Sequence, residues 1–262
     1  MRCHAAKRMG SKKRRSETTP YAPYDIASPF LRKAIVLNDP HSRRHRDAVL
    51  AIIGAGLVAA ALVLIWLARV SVPRELYVSE LGAIGEPTAE QFRAALLLLV
   101  VGGVLVAWSM RDVRSRPPLL RRGTPALTLA LACSAFLVSA QVPCTQSCPL
   151  PLGDTFTVQD LVHTLAAVIA FGAACWTMLQ VAFAPGHRAL SGATLLMALS
   201  VGVVAATGGL LSLARWNAVF GSRLELVATT IGIGWLVVYG IARATRLVTR
   251  SALTGAGVPN AT

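Results

Sequence analysis

The chain has 262 residues, 54 % of them hydrophobic, only 15 % charged and 6 % aromatic, with a mean hydropathy of +0.57. Soluble domains devote about a quarter of their residues to charge, and the apolar residues here fall in blocks of roughly bilayer-crossing length. These features exclude a soluble globular domain, a disordered chain, a disulfide-stapled secreted module and a β-barrel of short alternating strands.

Residues 1–47 are polar and basic and poor in bulky apolar side chains, which predicts a disordered cytoplasmic tail whose Lys and Arg could touch anionic lipid heads. Translation could start at Met1 or at Met9. The first apolar block is too long and too far along for the core of a cleaved signal peptide. Six apolar stretches follow: Ala48 to Val70, Ala94 to Met110, Ala126 to Val142, Leu161 to Phe183, Ala193 to Leu213 and Leu226 to Ala242. Backbone amides in lipid must be satisfied within the segment, so each is predicted to be a helix. The expected architecture is an all-α polytopic bundle of six transmembrane helices over residues 48–245, with 246–262 a short cytoplasmic tail. Gly54, Gly56, Gly102, Gly103, Gly172, Gly208, Gly209, Gly232 and Gly234 lie inside the spans, where small residues let helix backbones approach closely.

The net charge of +14 follows this threading. Of the 26 Lys and Arg, 21 fall before the first span, between spans two and three, between four and five, or after six. Only Arg69, Arg74, Arg93, Arg215 and Arg223 fall on the other side, together with Glu75, Glu80, Glu86, Glu90, Asp154, Asp160 and Glu225. The positive-inside rule then predicts a plasma-membrane protein with both termini in the cytoplasm. The basic charge belongs to topology, so no nucleic-acid partner is expected; membrane lipids are, and a homo-oligomer is compatible with the pattern. Arg outnumbers Lys heavily, which suggests a GC-rich bacterial genome.

Cys144 and Cys148 share the third-to-fourth loop, on the side where an oxidising compartment allows a disulfide. Free thiols and a metal site remain alternatives, but no second pair of Cys or His lies outside to complete a zinc site, and neither metal nor cofactor is expected. Cys133 and Cys175 sit within spans as small hydrophobes. The spans hold almost no ionisable group at their centres, which argues against an ion-coupled pump. His163 lies near the outer end of span four and heads a helical stripe of Ala166, Ala167, Ala170 and Ala174. That stripe aims the imidazole into the bundle, either as a ligand contact or proton donor, or as a tie to a neighbouring loop. Ser79 and Glu80 could serve with it as nucleophile and orienter. Asp160 could join them or cap span four. Arg215 and Arg223 could bind an anionic headgroup or pair with acidic loops, and Glu225, which opens span six, is a further candidate ligand contact with His163 and Asp160.

The order of these motifs carries a resemblance. Ser79-Glu80-Leu81-Gly82 follows span one, and Gln141-Val142-Pro143-Cys144 with Cys148-Pro149 follows span three. Asp160-Leu161-Val162-His163-Thr164-Leu165-Ala166-Ala167 comes next, then Arg223-Leu224-Glu225 ahead of Trp235. Over about residues 48–245 the chain resembles the bacterial six-helix membrane family known as domain of unknown function 998. The resemblance implies architecture and a membrane location and carries no activity. Three roles compete: a non-enzymatic bundle with an outward-facing polar pocket that binds lipid or a small molecule, senses, or scaffolds; a membrane hydrolase or lipid-modifying enzyme using Ser79, Glu80 and His163; and a small-molecule transporter.

Overall fold

A computed structural model of the chain describes residues 40–149, 154–186, 188–214 and 216–255. Among them every regular element is helical. The six long helices are α1 (Pro40–Ser71), α2 (Ala89–Ser109), α3 (Pro125–Gln141), α4 (Val158–Ala182), α5 (Arg188–Leu213) and α6 (Ala218–Gly255). Single 3₁₀ turns at Ser79–Gly82 and Leu120–Arg122 interrupt the α1–α2 and α2–α3 connections.

Five of the helices are long and apolar enough to cross a membrane; the exception is α3, with 17 residues. At 1.5 Å per residue it reaches about 25 Å, short of a typical hydrocarbon core. Its start is pinned: Thr124 accepts the Leu127 N–H at its cap and Pro125 opens the first turn. α1 and α6 run past their apolar stretches. Residues 40–47, which composition assigns to the tail, form the first turns of α1, and Asp47 there pairs with Arg111 beyond the end of α2 at 2.9 Å. α6 continues ten residues past 245 to Gly255.

Each helix packs on the next in the chain, and α6 packs back on α1, so the six close into a ring. The inward seam of α1 is built from small and β-branched residues three and four apart: Ala48, Ala51, Ala55, Val58, Ala61, Ile65 and Ala68 are all buried. Larger apolar side chains point outward, with Val63, Leu127, Leu196 and Val203 each well over half exposed. In water such a surface would drive aggregation; in lipid it is the solvated face.

The tightest crossing joins α1 to α2. A Cβ built on Gly102 would lie 2.7 Å from the Gly54 carbonyl oxygen, and one on Gly54 2.7 Å from that of Gly102. A Cβ on Gly103 of α2 would lie 2.5 Å from the Cys133 sulfur of α3, and one on Gly240 of α6 would lie 3.0 Å from the Ala55 Cβ. By contrast Gly56, Gly172, Gly209, Gly232 and Gly234 have nothing within 4 Å where a Cβ would stand. Only some of the span glycines therefore serve helix contact.

Polar locks fix the two ends. At the end where α1 begins and α6 finishes, the buried Arg243 guanidinium donates to the Ser109 carbonyl at 2.8 and 3.0 Å and pairs with Asp112. Gln180 donates to the Leu120 and Gly123 carbonyls, both at 3.0 Å, and accepts from Thr128 at 2.6 Å, tying α4 to the α2–α3 connection and to α3. At the far end the Ile84 N–H donates to the Cys144 carbonyl at 3.0 Å, joining the first and third connections.

If the Gly54–Gly102 crossing carries packing, Gly102→Ala lowers stability in detergent by about 1–3 kcal/mol, the usual cost of overpacking. Gly172→Ala meets open space and leaves stability unchanged or raises it by up to about 1 kcal/mol. Thermal unfolding midpoints of the two purified variants check this; equal midpoints would contradict it.

Candidate functional site

The ring encloses a central cavity to which all six helices contribute, among them Ile65 of α1, Leu96 of α2, Phe136 of α3, Phe171 of α4, Val201 of α5 and Leu236 of α6. It offers about 90 Å³ to the centre of a water-sized sphere, several times what one water needs. Phe136 and Phe171 meet edge to face in its wall, with centroids 5.6 Å apart. The polar lining is Ser79, Ser139, His163, Glu225 and Thr229. Ser79, Ser139, His163 and Glu225 belong to the end of the bundle where α1, α3 and α5 end and α2, α4 and α6 begin.

His163 is 5 % exposed. Its Nδ1 lies 2.8 Å from the Val142 carbonyl oxygen. A carbonyl can only accept, so Nδ1 carries the proton, and Nε2 is the ring nitrogen that this bond leaves over. The Ser139 hydroxyl donates to the His163 carbonyl at 3.3 Å. The alanine stripe below the imidazole divides its work: Ala166 and Ala170 are buried in helix contacts, while Ala167 and Ala174 line the cavity.

Glu225 enters from the first turns of α6. Its Oε2 accepts the Val78 N–H at 2.9 Å, and Ser79, the next residue of that turn, lines the cavity with it. The 3₁₀ turn after α1 is thus held over the cavity by a side chain 147 residues away in sequence. One turn along α6, the Thr229 hydroxyl is buried with no hydrogen-bond partner among the described residues.

The other candidates lie elsewhere. Glu80 turns back on its own loop and accepts the Tyr77 N–H at 2.7 Å; burial pushes its carboxyl above the ordinary value, against the pull of that amide and of Arg74. No hydrogen bond joins Ser79, Glu80 and His163 into a relay among the described residues. Asp160 is 1 % exposed and closes a capping box with Thr157 at the start of α4. It also accepts the Thr145 N–H at 2.7 Å and the Thr145 hydroxyl at 3.0 Å. Its lone pairs are spent on holding the α3–α4 connection. Cys144 and Cys148 are joined as a disulfide, with Cα atoms 5.1 Å apart. Both sulfurs lie within 4.8 Å of a His163 ring nitrogen, but sulfurs bonded to each other offer a metal no thiolate. Arg223 is exposed and bonds Glu75 at 3.1 Å, beside Arg69. Arg215 lies outside the described residues.

Thr229 and Ser139 are cavity residues that sequence reading passes over. Nothing distinguishes them from other hydroxyl residues in the spans until the partners of each hydroxyl are known.

A family model described as protein of unknown function (DUF998) matches residues 52–242. The chain belongs to that family. The matched segment takes in α2 to α5, most of α1 and α6, and every residue lining the cavity, so the cavity lies wholly within the part shared with DUF998. No curated protein and no solved structure matches the chain.

The rim above the cavity carries a pH signature. The hydrogen bond from Arg223 holds the Glu75 carboxyl below its ordinary value, outweighing partial desolvation, with Arg69 adding to it. A depressed carboxyl contributes stability that is complete above the unfolded value and disappears as pH falls through the folded one. The wild type should therefore exceed Glu75→Gln in unfolding midpoint near pH 7 and converge with it below about pH 4. A gap that stays constant over that range would contradict the pairing.

Proposed function

We propose that this is a multi-pass protein of a bacterial plasma membrane, with both termini in the cytoplasm, that binds a lipid or another apolar small molecule in its central cavity. The observation that carries the reading is the cavity itself: apolar walls from all six helices, with His163, Ser79 and Glu225 gathered at one end. Ligand sites are commonly of this kind, concave and mostly apolar, with a few convergent polar groups to orient the guest. A ligand that partitions into the bilayer would reach it from the surrounding lipid. The six helices run unbroken, without the half-helix ends that hold cargo in many transporters.

The orientation rests on charge. Arg43, Arg44, Arg46, Arg111, Arg114, Arg121, Arg122, Arg243, Arg246 and Arg250 lie at or beyond the helix ends on the side where α1 begins and α6 finishes. Glu75, Glu80, Glu86, Glu90, Asp154 and Asp160 belong to the opposite end. In a bacterial inner membrane the basic end faces the cytoplasm.

Two measurements test the proposal. Gln146 is exposed in the α3–α4 connection; Gln146→Cys, in a chain without Cys144 and Cys148, should react with an impermeant maleimide on intact cells. Labelling only after lysis would invert the threading. His163→Ala should lower the amount of lipid-derived ligand that co-purifies with the folded protein, as read by mass spectrometry of organic extracts. The same extract from both proteins would remove the support for a ligand contact at His163.

A further inference from the structure

The unpartnered hydroxyl of Thr229 narrows the chemistry of the guest. Hydroxyls within helices ordinarily donate to a carbonyl one turn back, and this chain does so repeatedly: Thr177 to Ala173, Thr207 to Val203, Thr230 to Leu226 and Thr249 to Thr245, at 2.7 to 2.9 Å. Thr229 does not. It is 5 % exposed, lines the cavity and has no partner among the described residues. Leaving a buried hydroxyl unpaired is unfavourable, so the site gains from a guest that accepts from it. At the polar end of the same cavity, His163 has Nε2 left beyond its Val142 bond, and the Glu225 carboxyl retains acceptor capacity beyond the Val78 contact.

We infer that the cavity takes a single-chain lipid whose uncharged head carries hydroxyl groups, a head the size of glycerol. This rests on the reading of the cavity as a ligand site. Thr229 has a proton to give, whereas the Glu225 carboxyl has lone pairs to fill, so the head must both accept and donate. A hydroxyl does both. An ester or ether only accepts, and an ammonium only donates. A fatty acid beside the Glu225 carboxyl would have to give up its charge to enter, which weakens its binding relative to an uncharged head. Thr229 lies four residues, about 6 Å, deeper along α6 than Glu225 on the same helix face. Meeting both levels takes more than one hydroxyl, which a glycerol head supplies. Below it, Leu129, Met178, Val201 and Leu236 provide apolar wall, and a space of this size suits one flexible chain.

The test is saturable binding of tritiated 1-monolaurin, methyl laurate and laurate to the purified full chain in amphipol. One monolaurin should bind per chain, at least about tenfold more tightly than methyl laurate, which keeps chain and ester but has no hydroxyl, and than laurate. Thr229→Val should weaken monolaurin binding about three- to tenfold, the range of one hydrogen bond, and leave methyl laurate unchanged. Thr229→Ser, which restores the hydroxyl, should bind as the wild type, and unfolding midpoints confirm that both variants are folded. Equal affinity for monolaurin and methyl laurate or laurate, or no effect of Thr229→Val, overturns the assignment of the head and leaves the cavity as a ligand site. Absence of saturable binding by all three probes overturns the assignment and the ligand-site reading together.

Discussion

Close approach of helix backbones is the constraint on which the rest of this structure depends. In lipid no hydrophobic force drives one apolar helix onto another, so contact must come from packing at short range and from polar locks. α1 supplies the short-range surface. Its alanine-rich seam faces α2 on one side and α6 on the other, with Gly54 against Gly102 and Ala55 against Gly240. Because α1 accepts both neighbours, the first and last helices meet and six consecutive helices form a ring rather than an open row.

A ring of six cannot fill its own centre as a four-helix bundle can, and the space left becomes the cavity. Its character follows from the ends of the helices. Midway along, the lining is Leu, Phe, Met and Val. At the end where α2, α4 and α6 begin, the connections fold inward and bring polar groups with them. The 3₁₀ turn after α1 is tethered to Glu225, and the α3–α4 connection is held by Asp160 and by the bond between Val142 and His163. Asp160 and His163 sit one helical turn apart on α4 and do different things: the first is consumed by capping and loop contacts, and the second keeps a ring nitrogen for the cavity.

Much of this was legible in the sequence, for identifiable reasons. Apolar runs of bilayer length mark the helices directly, and the alanine stripe below His163 fixes which way its side chain looks. The Ser79-Glu80, Cys144 and His163 motifs, taken in order, point to the DUF998 family, whose model covers the cavity-lining residues. Other features depend on contacts that one sequence does not display. The nine span glycines look alike in the chain, yet those at the α1–α2 crossing meet a backbone and five meet open space. The extension of α1 back to Pro40 lies in a basic stretch without apolar periodicity. Glu225 and Val78 are too far apart in the chain for any spacing argument, and Thr229 stands out only once its neighbours on α6 are seen to have partners.

The closure of the ring by α6 on α1 is the claim tested most directly by cross-linking. In a chain lacking its native cysteines, Ala55→Cys with Gly240→Cys places two sulfurs within disulfide reach, since a Cβ at 240 would stand 3.0 Å from that of Ala55. Mild oxidation in native membranes should give a near-complete intramolecular cross-link, seen as a mobility shift reversed by reductant, while Gly56→Cys with Gly240→Cys should give little. If the first pair fails to cross-link while the second succeeds, or if neither does, the helices do not close around a cavity in the way described.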